Sequence, residues 1–192
     1  NDGDAAFGIA NTSFFMHLPK LSKVESNIPF PKKLTYEAGT TYITFLMLDY
    51  DGSAWTNQMP TAIYDDEKRG KLPLNWCINP VLSERIPHVW SYLYENRTEN
   101  DIFRIADDGA GYIHPTCLVE RQGRISESGI PYYEKFAKKY YDQFNIEYTA
   151  FYIDSKSVYH WLNMATRLDK GFGCNLPVGQ MLVNNVPMTQ VT

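Results

Sequence analysis

Ile102-Phe103-Arg104-Ile105-Ala106-Asp107-Asp108-Gly109-Ala110-Gly111-Tyr112-Ile113-His114-Pro115 joins a short, largely apolar run to two carboxylates and a glycine-rich turn. An apolar run of this length bounded by turn formers reads as a strand buried on both faces, the kind found in parallel sheets covered by helices. The acidic pair then falls where the strand surfaces, at its carboxyl end, where α/β proteins keep their chemistry. Gly109 and Gly111 supply backbone freedom and close approach, and Pro115 fixes the exit of the turn.

Similar runs recur along the chain. Phe7 to Asn11, Tyr42 to Leu48 and Thr149 to Ile153 read as buried strands, and Leu72 to Ile78 as a weaker one with Pro73 at its start. Met181-Leu182-Val183 marks a further strand near the end. Between them the period changes to that of a helix. Ile86, Val89, Trp90 and Leu93 share one face of a helix over 83–96 that Ser83 would cap. Tyr133, Phe136, Ala137, Tyr140 and Phe144 form the apolar face of a helix over 130–144, with Glu134, Lys135, Lys138, Lys139 and Asp142 opposite. A third helix is predicted over 157–168 and a short one near 61–65. Strand and helix alternate, which gives an α/β architecture.

Each predicted strand finishes in polar residues: Asn11, Asp49 with Asp51, Asn79, Asp107 with Asp108, and Asp154. A parallel sheet brings all its carboxyl ends to one edge, so these distant positions become neighbours. Clustered carboxylates suit two chemistries. One is glycoside cleavage by a general acid and a second carboxylate that attacks or activates water; the other is divalent-metal binding through oxygen. Local roles are also open to each acid: Asp51-Gly52 is a turn dipeptide, Asp107 and Asp108 can cap the turn, and Asp154 can cap the next helix. Trp55, Tyr112 and His114 stand close enough in sequence to add stacking and hydrogen bonds, whereas Trp76 is favoured as core.

Composition narrows the class. The chain has 192 residues, 44% hydrophobic and 21% charged, enough for one sizeable core, and residues 1–192 read as a single domain. Aromatic residues reach 15%, which favours flat ligands such as sugars. The net charge of −4, with acids and bases interspersed, argues against nucleic acid. No apolar run approaches the roughly 20 residues of a membrane span. Asn1-Asp2-Gly3-Asp4 reads as a cut or processed end. Cys77, Cys117 and Cys174 have no C-x-x-C spacing and are read as small buried hydrophobes. His17, His88 and His160 lack ligand spacing, the H-E-x-x-H, P-loop and nucleophile-elbow patterns are absent, and neither a metal nor a cofactor is expected.

The segment Gly109-Ala110-Gly111-Tyr112-Ile113-His114-Pro115 resembles the signature of the GxGYxYP putative glycoside hydrolase family, known mainly from gut Bacteroidetes and related bacteria. Asp49-Tyr50-Asp51-Gly52 with Trp55 is similar to the family's Asp-Gly-Asp-Asn segment and its nearby Trp, and Pro73 to Pro80 to its strand with Trp76 and Asn79-Pro80. Asn1 to Pro19 is similar to the start of its C-terminal domain. Three positions depart: His114 stands for the second Tyr, Gly52 for Asn, and Asp108 for Ser. The resemblance implies a TIM-barrel-like (β/α) domain that follows N-terminal domains in a larger exported protein, periplasmic, on the cell surface or secreted. A full eight-fold barrel needs about 250 residues, so an incomplete barrel or a fragment is expected.

The expected function is a carbohydrate-active hydrolase. Asp49, Asp51, Asp107, Asp108 and Asp154 are its candidate catalytic acids, and Asn11, Trp55, Asn79, Gly109, Gly111, Tyr112 and His114 its substrate contacts. The alternatives are a divalent-metal-dependent hydrolase using Asp49, Asp51 and His114, and a non-catalytic carbohydrate-binding module.

Overall fold

The computed structural model describes residues 11–21, 35, 37–50, 52–106, 110–111, 118, 120, 123, 126–146, 148–152, 171–174, 180–183 and 186–190. Its strands are β1 (Phe45–Tyr50), β2 (Leu74–Ile78), β3 (Asp101–Ile105), β4 (Tyr148–Tyr152), β5 (Gly171–Cys174), β6 (Gln180–Val183) and β7 (Val186–Gln190). The helices are α1 (Thr12–Phe15), α2 (Ser53–Met59), α3 (Leu82–Arg85), α4 (Pro87–Glu95) and α5 (Ile130–Phe144). One seven-stranded sheet orders them β1-β2-β3-β4-β5-β7-β6. Every pairing is parallel except the last, where β6 runs antiparallel to β7.

This corrects the expected TIM-barrel-like fold. Strand and helix alternate from β1 to β4, but among the described residues the sheet is open, with β1 at one edge and β6 at the other. A (β/α) barrel closes by pairing its first and last strands in a wholly parallel ring. Here β7 lies beside β5 and folds back on β6 as an antiparallel pair, leaving β6 at the far edge of the sheet.

β1 begins at Phe45, itself 50% exposed, three residues after the expected start at Tyr42. Tyr42 and Ile43 are exposed and precede β1. Pro73 stands just ahead of β2, as expected of a residue that cannot donate to the ladder. Of the predicted strand over 7–11, residues 7–10 lie outside the described residues, as does the predicted helix over 157–168.

The single helix expected over 83–96 is two. Ile86, held at φ −133° ahead of Pro87, leaves the helical region and ends α3, and Pro87 opens α4. Ser83 is not a cap; it is buried in α3 and its hydroxyl donates to the Pro80 carbonyl at 2.7 Å. α5 matches its expected span. Its buried face is Ile130, Tyr133, Ala137, Tyr140, Tyr141 and Phe144. Phe136 lies about 90° from the centre of that stripe at 100° per residue, and it is 38% exposed rather than core. Asn145, at φ 50° and ψ 46°, closes α5 in the left-handed conformation.

The helices cover one sheet face. Met47, Leu74, Trp76, Ile78, Phe103 and Ile105 alternate onto it and pack with Met59, Tyr64, Ile86, Trp90, Leu93, Tyr140 and Phe144. Trp76 is core, as favoured from the sequence, and Cys77 is buried on the other face with Ala106 and Leu46.

At the amino-terminal edge of the sheet Asp101 is almost fully buried. Its Oδ2 pairs with the Arg69 guanidinium and accepts from Thr98 N at 2.7 Å and Thr98 Oγ1 at 2.9 Å, while its Oδ1 accepts from Trp76 Nε1 at 2.8 Å. Arg69 lies 3.9 Å over the Tyr64 ring and donates to the Asn96 carbonyl at 2.9 Å. Tyr64 reaches this position because α2 runs into a π turn, Pro60–Tyr64. Pro60 supplies no N–H, and its carbonyl instead accepts from Asp65 N at 2.9 Å.

His88 of α4 packs on Phe15 of α1 with ring centroids 4.2 Å apart; burial pushes its pKa below the ordinary imidazole value. Its Nδ1 is buried with no hydrogen-bond partner among the described residues, so the fold accepts the neutral ring. With the folded value below the unfolded one of about 6.5, the contribution is complete above that pH and is lost as pH falls below it. The thermal midpoint of the wild type should therefore drop more steeply from about pH 7.5 to about pH 5.5 than that of His88→Gln, scanned in parallel. Equal slopes would show that the ring is not held neutral.

Candidate functional site

The carboxyl ends of β1, β2 and β3 are level: Tyr50 stands opposite Ile78, and Ile78 opposite Ile105. Ile105 is in turn opposite Thr149 of β4. Asp49 lies in β1, Asn79 follows β2 directly, and the chain passes from Ala106 beyond β3 into 107–109.

The register of β1 breaks just before this edge. Met47 pairs with Trp76 and Tyr50 with Ile78, so Leu48 and Asp49 stand against Cys77 alone. Such a bulge bends a strand and re-aims the residues beyond it, and bulges are common beside active sites.

The glycine turn after β3 is tied at two points. Asn79, buried at the end of β2, accepts through Oδ1 from Gly111 N at 3.0 Å and from Val81 N at 3.1 Å. One side chain thus joins the loop after β2 to the loop after β3. Ala110, fully buried, donates its N–H to the Tyr133 hydroxyl of α5 at 3.1 Å. Gly111 adopts φ 96°, in the region that favours glycine, which accounts for glycine at that position. Further on, Gly129 N donates to the Leu118 carbonyl at 2.7 Å, so the excursion returns against the start of α5.

Of the predicted site residues, Asn79 and Gly111 are brought together. Asn11 is exposed and opens α1, its Oδ1 accepting from Phe14 N at 3.1 Å. Trp55 is 41% exposed on the first turns of α2, just beyond β1. Asp49 is described by its backbone alone. Asp51, Asp107, Asp108, Gly109, Tyr112, His114 and Asp154 lie outside the described residues.

Sequence reading misses three polar residues here. Tyr133 reads only as part of the apolar face of α5, and nothing local marks its hydroxyl as a loop anchor. On the sheet face away from the helical core, Arg104 Nε donates to Asn75 Oδ1 at 3.1 Å and Asn75 Nδ2 donates to the Phe45 carbonyl at 3.2 Å. Their signal is present in the sequence, since both are polar residues inside runs read as apolar strands.

The GxGYxYP putative glycoside hydrolase C-terminal domain model matches residues 39–191. A search of curated proteins gave no match. Among solved structures, one described as a putative hydrolase from Bacteroides thetaiotaomicron VPI-5482 aligns with a TM-score of 0.68 at 20% identity. The alignment covers 95% of this chain and 34% of that one, so this chain spans about a third of its length. That likeness supports the fold, and the match over 39–191 supports the family: the chain belongs to the GxGYxYP putative glycoside hydrolase C-terminal domain family.

Proposed function

We propose that this domain takes part in the hydrolysis of glycosidic bonds, with its acids drawn from Asp49, Asp51, Asp107, Asp108 and Asp154 and with Trp55, Tyr112 and His114 contacting sugar. The observation that carries the reading is the level carboxyl edge of β1, β2 and β3, from which the chain runs on into acid-bearing segments. Two carboxylates across one cleft suffice for the chemistry: one protonates the departing oxygen and the other attacks the anomeric carbon or activates water. Family membership supports the same reaction class. Arg104 is the one basic residue within β1, β2 and β3, and it adds positive charge to the sheet face opposite the helical core. An exported location belongs to the same proposal. No helix among the described residues is long and apolar enough to cross a membrane.

The test is single Asp→Asn replacement at 49, 51, 107, 108 and 154, with turnover and binding measured on a glycan panel. Removing the acid or its partner should lower kcat by about 10²–10⁴-fold while glycan binding persists. Activity that depends on a stoichiometric divalent ion and vanishes on chelation would replace this reading with the metal-dependent one. Binding without turnover in the wild type would replace it with a binding module.

A further inference from the structure

We propose that Tyr133 of α5 is a positioning residue for the candidate site, holding the glycine turn after β3 in register with the loop after β2; the proposal rests on the hydrolase reading for its catalytic consequence. The buried Ala110 N–H is aimed at the Tyr133 hydroxyl at 3.1 Å, and the adjacent Gly111 N–H at Asn79 Oδ1 at 3.0 Å. Two successive amides are thus satisfied by side chains from two other elements, one on the helical layer and one at the sheet edge. A turn with glycine at φ 96° has many alternative backbone states. These two bonds select one of them, and the segment on either side of the turn carries Asp107, Asp108, Tyr112 and His114. Helix α5 therefore does more than cover the sheet: it fixes where the turn sits relative to β2.

The same helix supplies a matched control. Tyr141 is also buried, and its hydroxyl bonds Thr149 Oγ1 of β4 at 3.0 Å, away from the glycine turn. Tyr133→Phe and Tyr141→Phe each delete one buried hydroxyl from α5 and keep the ring. Both should lower the thermal midpoint. Tyr133→Phe alone should speed hydrogen exchange at the Ala110 amide on the order of tenfold, and lower kcat roughly 10- to 100-fold at nearly unchanged KM. Tyr141→Phe should leave both readouts at the wild-type value.

Unchanged exchange at Ala110 in Tyr133→Phe overturns the proposal, as does a kcat that falls equally in the two variants. If the wild type neither binds nor cleaves any glycan of the panel, the hydrolase reading fails by itself. The exchange rate of the Ala110 amide then decides the positioning role alone, faster exchange supporting it and unchanged exchange ending it.

Discussion

Asp101→Ala should be the most destabilising polar substitution among the described residues, costing about 3–5 kcal/mol, because it leaves the largely buried Arg69 guanidinium against Tyr64 without its counter-ion. Trp76 Nε1 and the Thr98 groups lose their acceptor at the same time. For a domain of this size each kcal/mol moves the thermal midpoint by about 2–4 °C, so a fall of roughly 10 °C is expected by calorimetry. Arg69→Met should cost less than Asp101→Ala. Its aliphatic side chain can still cover Tyr64, and Asp101 keeps its bonds from Trp76 and Thr98. The double variant should cost less than the sum of the two, since the residues share one network. Additive losses would show that the ion pair is not the source of the effect.

Trp90→Ala should lose a similar amount, about 3–5 kcal/mol, for a different reason. Trp90 is fully buried between Tyr94, at 5.9 Å between ring centroids, and Phe144, at 5.0 Å, so truncation opens a cavity at the centre of the helical layer. A comparison with Trp76 separates packing from hydrogen bonding. Trp90 Nε1 is buried with no hydrogen-bond partner among the described residues, so Trp90→Phe removes an unsatisfied donor together with part of the ring. Trp76→Phe removes a donor that Asp101 uses. The Trp76 exchange should cost about 1–3 kcal/mol more than the Trp90 exchange, because it removes a hydrogen bond to a buried carboxylate. Denaturant unfolding of the two Phe variants measures the difference, and equal losses would contradict the bonding scheme.

The elements that sequence reading locates well are those whose signal is local. α5 is legible because Tyr133, Ala137, Tyr140 and Phe144 repeat at helical spacing, and β2 and β3 because apolar runs are bounded by Pro73 and by the acid-glycine turn. The break between α3 and α4 is written just as locally, in Pro87, although the apolar period runs on through it and suggests one helix. β5 and β7 escape sequence reading: Gly171-Phe172-Gly173-Cys174 has little strand propensity, and Pro187 lies inside β7. Both are strands by virtue of their neighbours in the sheet. Within the candidate site, Asn79 and Gly111 are legible as a strand end and a turn, but the bond that joins them across 32 positions is not.

By itself the sequence determined the alternation of strand and helix from β1 to β4 and the family, because hydrophobic period, turn residues and a short motif are all written within a few consecutive positions. Tertiary structure decided the rest. Whether the sheet closes depends on which edges find partners, and among the described residues β6 pairs only with β7 and leaves it open. Which side chains serve the site depends on contacts between elements far apart in the chain. Tyr133 looks like any core tyrosine until the fold sets its hydroxyl against Ala110 N.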